Sequence, residues 1–347
     1  MPSRSQWSAP AEQRLDTHHL RHVLTRRTTS REPASFLYGS GGNLRAAWRI
    51  GVFVCVYFVV SGILSATAAP VLSFVSGNTG GVITPVVWTD LLTALITIGF
   101  VVHMVDRQTW EGVGFPAKSW QPSLLFRAGL LGGGAIAVTA GALALFGHLQ
   151  FEPDTVSTFL SGDSVNNSPA GAWVSSTLRI TLLLAPAALF EELIFRGYLW
   201  RVAEDSASPL AALVLSSVMF GVAHIQNPGA SFLAITNVTL AGVALGLLRL
   251  HTNSLPAAWV AHFAWNWVMA ATLHVPVSGL PMSTPGYRAV VNGPDWFAGG
   301  SWGPEGGVAA TVVLLALVAF GLFPTRFPGS LINFSRSANG TAAARSA

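Results

Sequence analysis

Apolar side chains run along this chain in stretches of about 20 residues, the length a helix needs to cross the hydrocarbon core of a membrane. Eight such stretches can be marked, at approximately 48–71, 82–105, 124–147, 174–203, 209–226, 230–250, 255–274 and 306–324. The fifth and sixth are parted by little more than Asn227, Pro228 and Gly229, a combination that breaks a helix and turns the chain. The pattern predicts an all-α fold, a polytopic membrane helix bundle of about eight transmembrane helices. Gly132, Gly133 and Gly134 in the third stretch suit close helix packing.

Composition agrees with a lipid surrounding. Hydrophobic residues make up 51% of the chain and charged ones 10%, against about a quarter charged in soluble domains. The lone cysteine, Cys55, excludes an internal disulfide framework and any multi-cysteine metal cluster, and within an apolar run it reads as a small buried side chain. A net charge of +4 would point to nucleic acid only if it formed a patch. It does not: arginines crowd the first 49 residues (Arg4 to Arg49) and are otherwise scattered between apolar runs. Residues 1–46 therefore read as a basic, disordered tail and residues 47–325 as the transmembrane domain, with 326–347 as a C-terminal tail. Arg107, Lys118, Arg201, Arg249 and Arg326 fall in alternate connections, whereas the loop after the third stretch has Glu152, Asp154 and Asp163 and no basic residue. Positive residues mark the cytoplasmic side, so both termini are expected there. The arginine-heavy, Ala/Gly/Val-rich character is that of a bacterial plasma-membrane protein. Trp48, Trp88, Trp173 and Trp200 at stretch edges fit interfacial anchoring.

Ionisable groups inside apolar stretches are costly, on the order of 2.5–3.5 kcal/mol each by insertion scales, and imply function. The fourth stretch contains Phe190, Glu191, Glu192, Leu193, Ile194, Phe195 and Arg196. Glu192 and Arg196, four apart, share a face in the order that favours an ion pair. Glu191 is turned about 100° away and has no such partner. The fifth stretch carries Phe220 and His224 on one face. Glu191 and His224 are nearly equidistant from the turn at Asp205, Ser206, Ala207, Ser208 and Pro209, so an antiparallel hairpin places them at one depth, where both can hold the same water. The seventh stretch adds His262 and Asn266, again four apart, among Trp259, Phe263, Trp265 and Trp267. Residue counting leaves His262 several ångströms nearer the cytoplasmic end than Glu191, a gap that tilt or a longer fourth helix must close. The plainer reading of these groups is interhelical hydrogen bonding.

Taken together they resemble the CPBP family of membrane proteases, also called the Abi or type II CAAX prenyl endopeptidase family. Its signature is E-E-x-x-x-R, then F-x-x-x-H, then H-x-x-x-N, on separate membrane helices. Here the three motifs are Glu191, Glu192 and Arg196; Phe220 and His224; His262 and Asn266. They lie in order on three stretches, with the motif-bearing core at 174–274 in spans four to seven. The resemblance implies hydrolysis of a peptide bond within the membrane, with Glu191 as general base on a water shared with His224. His262 and Asn266 would form the oxyanion hole, supported by Glu192, Arg196 and Phe220. A carboxylate in low dielectric suits a base, and preorganised donors suit a developing oxyanion.

Members of such families have been called metallopeptidases, and Glu191, His224 and His262 could bind zinc with one open position. The contiguous H-E-x-x-H pattern is missing, and the expectation is a glutamate-dependent reaction that requires no cofactor, with zinc as the alternative. Expected partners are membrane lipid and a membrane-associated or lipidated protein or peptide, and no nucleic acid. Two other classes stay open. One is a non-catalytic scaffold or bacteriocin-immunity protein of the same fold, which loss of a motif residue would have favoured. The other is a proton-coupled transporter, which paired helix breaks in two halves would have favoured.

Overall fold

The computed structural model describes residues 36–38, 44–78, 84–154, 169–282 and 285–322. The chain divides into two units, Met1–Arg45 and Ala46–Ala347. Of the first, an isolated bridge between Tyr38 and Leu44 is described; the rest of the expected basic tail, and the C-terminal tail at 326–347, lie outside the described residues.

The second unit is a helical bundle, and each of the eight apolar stretches is a helix. In chain order these are α1 (Ala46–Asn78), α2 (Pro85–Phe100), α3 (Pro122–Leu145), α4 (Pro169–Glu192), α5 (Pro209–Ala223), α6 (Phe232–Thr252), α7 (Leu255–Trp267) and α8 (Val308–Gly321). Among the described residues, four helical segments are long and apolar enough to cross a membrane: α1, Pro85–Val105, α3 and α6. Local chemistry sets the boundaries. Ser208, Ser231 and Ser254 each accept the backbone N–H three residues on, at 3.1, 3.1 and 3.0 Å, and so cap α5, α6 and α7. Asn253 in the left-handed region turns α6 into α7, and Gly229, also left-handed, lies in the predicted break between α5 and α6.

Three helices end in widened π-helical turns, at Val101–Val105, Leu193–Leu199 and Val268–Thr272. The second begins directly after Glu192 and is followed by a last α-helical stretch, Trp200–Ser206. Pro186, five residues before Glu191, lies inside an unbroken α4. Turns of this kind occur mainly as single interruptions near functional sites.

The helices pack as neighbours through small residues. At Gly132, a Cβ would overlap the carbonyl oxygen of Ala261, so α3 and α7 touch backbone to backbone beside His262. Gly134, two residues on, faces open space. Arg49, the last of the arginines crowded into the first 49 residues, is buried at the start of α1. It donates to Asp106 at 2.8 Å and to Asp205 at 3.1 Å, tying α1, α2 and the end of the α4 extension together. Trp200 is likewise buried rather than interfacial, whereas Cys55 is exposed.

One feature falls outside the all-helical expectation. Strands β1 (Leu149–Asp154) and β2 (Gly286–Val291) form an antiparallel ribbon with Leu149 opposite Val291 and Asp154 opposite Gly286. Both lie in connections between apolar stretches, and each is short with its partner far away in sequence, so no local pattern marks them.

Replacing Gly132 by Ala is expected to lower stability in detergent by about 1–3 kcal/mol, since overpacking forces backbone shifts, while Gly134→Ala changes little. Thermal unfolding of the two variants side by side measures this.

Candidate active site

Three helices bring the site together. Glu191 sits one residue before the end of α4, and His224 is the residue that closes α5. His262 lies in the second turn of α7. Glu191 Oε2 stands 4.0 Å from His224 Nε2 and 3.8 Å from His262 Nε2. The equal depth of Glu191 and His224 inferred from the hairpin is thus observed, and the offset of His262 is closed. Two indoles of α7 fasten that helix to α4: Trp259 donates to the Ala185 carbonyl at 2.8 Å and Trp267 to the Thr181 hydroxyl at 2.9 Å.

The far side of each ring decides what the near side offers. His224 Nδ1 lies 2.8 Å from the Phe220 carbonyl and must donate to it; His262 Nδ1 lies 3.0 Å from Glu192 Oε1 and does the same. In the neutral rings, both Nε2 atoms therefore present lone pairs toward Glu191 Oε2. That oxygen is itself buried with no hydrogen-bond partner in the structure. Three acceptors converge on one point, which calls for protons or a cation between them.

Behind them lies a buried ion pair. Arg196 donates to Glu192 Oε1 at 2.8 Å, both side chains being fully buried, and also to the Gly242 carbonyl of α6 at 3.1 Å. Its guanidinium lies 4.2 Å from the centre of the Phe220 ring, a cation–π contact. Phe220 in turn packs edge-on against His262, with ring centres 5.6 Å apart, and against His224 at 4.9 Å. Phe220 thus touches both histidines from behind and Glu192 reaches His262 directly, while Arg196 holds Phe220 and Glu192.

Glu191, His224, His262 and Asn266 all line one cavity of about 160 Å³. Its walls are mostly apolar, from α3, α4, α6, α7 and α8, with Leu245, Leu248, Leu317 and Phe320 among them. Four more polar groups that sequence reasoning missed also line it: Asn227, Asn237, Ser278 and Glu305. For Glu305 a signal existed. Gly299, Gly300, Gly303, Gly306 and Gly307 surround it, and so many glycines in a short connection mark close backbone packing. Gly303 is left-handed and admits no Cβ against the Pro276 carbonyl.

A carboxylate and two imidazoles are the donor chemistry of zinc, yet ligands of tetrahedral zinc stand about 3.4 Å apart. The separations here are wider, and are nearer those of groups that share one hydrogen-bonded water, about 4 Å or more. Among the described residues, no group of three His, Cys, Asp or Glu is placed to hold a metal ion.

The bundle and its site define a class, a polytopic membrane protein with a carboxylate–histidine cluster inside it. Residues 173–268 match the model of the family described as Type II CAAX prenyl endopeptidase Rce1-like, which bears out the resemblance drawn from the motifs. The match spans most of α4 and all of α5, α6 and α7. No curated protein matches the chain.

Arg196→Ala is expected to destabilise the protein by about 3–5 kcal/mol, because it leaves the Glu192 carboxylate buried without its cation and with only the His262 hydrogen bond. Replacing both partners, Glu192→Gln with Arg196→Met, should cost less than the single change. Melting temperatures in detergent distinguish the two.

Proposed function

We propose that the protein is an intramembrane endopeptidase that hydrolyses a peptide bond of a membrane-associated or lipidated protein or peptide, with Glu191 as the general base. The observation that carries this reading is the convergence of Glu191 Oε2, His224 Nε2 and His262 Nε2 on one point in the wall of a largely apolar cavity. The Rce1-like match supports the class, an intramembrane protease of CAAX type.

In this reading one water sits between Glu191 and His224. Glu191 takes its proton as the oxygen attacks the scissile carbonyl carbon. The carbonyl oxygen becomes an oxyanion and receives hydrogen bonds from the Asn266 amide and from His262. His262 donates through Nε2 in this reading as a doubly protonated ring, its Nδ1 donating to Glu192. Collapse of the intermediate breaks the C–N bond, and the proton held by Glu191 passes to the leaving amine. Arg196 and Phe220 hold the histidines in place and take no proton. Zinc, if bound, would be held by Glu191, His224 and His262 and would polarise the same water; the wider separations support the metal-free form.

The test is cleavage of quenched fluorescent peptides with apolar or lipidated tails by the purified protein. Glu191→Gln is expected to abolish hydrolysis, and Asn266→Ala to lower kcat by about 10²- to 10³-fold, the usual weight of one oxyanion donor. A zinc chelator should leave the wild-type rate unchanged. Undiminished cleavage by Glu191→Gln would sink the assignment of the base, and loss of activity with chelator, restored by zinc, would replace the metal-free form with the zinc form.

A further inference from the structure

Glu305 has no part in the chemistry above, although it is a carboxylate 7% exposed in the wall of the same cavity. Its Oε1 accepts hydrogen bonds from the backbone N–H and the hydroxyl of Ser278, both at 2.7 Å, and its Oε2 accepts from the Trp265 indole at 2.9 Å. All three donors are neutral. A buried carboxylate solvated in this way is retained against a desolvation cost, and its advantage is that it only accepts: three donors converge on it, and an amide in its place would turn an N–H against one of them.

What those donors belong to gives the arrangement its meaning. Trp265 stands on α7 three residues after His262 and directly before Asn266. Ser278 is a non-glycine residue in the left-handed region, with φ of 48°, a conformation held by its surroundings. Its carbonyl accepts from the Asn227 side chain at 3.0 Å, and the Asn227 backbone N–H donates to the His224 carbonyl at 3.1 Å. A continuous bridge therefore runs from His224 through Asn227, Ser278, Glu305 and Trp265 to the segment that carries His262 and Asn266. The Glu305 backbone is fixed separately, its carbonyl accepting from Asn237 at 2.8 Å, so the loop keeps its anchor when the side chain is changed.

We infer that Glu305 is a positioning residue that sets the spacing of His224 relative to His262 and Asn266 by clamping Ser278 and Trp265 at once. The kinetic part of this inference rests on the protease reading; the geometric part does not.

The experiment compares full-length wild type, Glu305→Gln, Trp265→Phe and the double variant in detergent. The first readout is the imidazole NMR signals of His224 and His262, with His103 and His148 as remote references; the second is kcat and KM on the peptides above. Glu305→Gln should shift both site imidazoles and leave the references in place. It should also lower kcat by about 10- to 100-fold, the scale of an ångström misplacement, with KM within about threefold. Trp265→Phe should reproduce the shift of the His262 signal, and the double variant should be no slower than Glu305→Gln alone. Unmoved site imidazoles would overturn the inference, as would a rise in KM at unchanged kcat, which marks a substrate contact. Multiplying defects in the double variant would overturn it too. If Glu305→Gln does not fold, the Trp265→Phe signals decide. Should the wild type hydrolyse nothing, the protease reading falls while the imidazole signals still decide this one.

Discussion

One buried ion pair holds the interior together. Arg196 has two arms and a flat face, and each meets a different helix: Glu192 on its own helix, the Gly242 carbonyl on α6, and the Phe220 ring on α5. Glu192 then passes the connection to α7 through His262. Two charges taken wholly out of water are repaid only when every such arm is made. The positions of α5, α6 and α7 are consequently conditional on one another. Glu191 gains its character from the same arrangement, since the helical turn that commits Glu192 to the pair leaves its neighbour facing the two imidazoles with no cation of its own.

Much of this could be read from residue order. The spacing of Glu192 and Arg196 gave their pairing, the turn before Pro209 gave the level of Glu191 and His224, and the length of the apolar runs gave all eight helices. Those inferences needed only local periodicity and one symmetric hairpin. Contacts made across the chain were not legible. The Arg49–Asp106–Asp205 cluster joins three distant segments, the ribbon pairs strands more than a hundred residues apart, and the reach of Trp265 to Glu305 depends on how a glycine-rich loop folds back. Trp200 misled for a related reason: a tryptophan at the edge of an apolar run reads as an interfacial anchor, and here the run continues past it into a packed extension. The closing of the His262 offset likewise depended on how α4 and α7 lie against each other, through Trp259 and Trp267, which a count of residues does not contain.

The chemistry and the shape of the cavity come from different parts of the chain. The matched segment, residues 173–268, supplies Glu191, His224, His262 and Asn266 together with the ion pair. Leu131 and Gly132 of α3, the 277–282 segment, Glu305 and the apolar face of α8 lie outside it and complete the walls. In the proposed protease reading, the polar cluster is thereby separable from the surfaces that a bound chain would meet, and selectivity can vary through α3, α8 and the loops with the cluster unchanged.

The helix that ends in His224 is short. With 15 residues in α5 and 14 in α8, each is about 21–23 Å long at 1.5 Å per residue, against a hydrocarbon core of about 30 Å. Much of α5 is nevertheless exposed along its outer face, where Val214, Val218 and Val222 point away from the bundle. A bilayer meeting that face can match it by thinning. Where it thins, lipid headgroups and their hydration come closer to the end of the helix at His224, and the water of the proposed hydrolysis has a shorter way to travel from the aqueous phase.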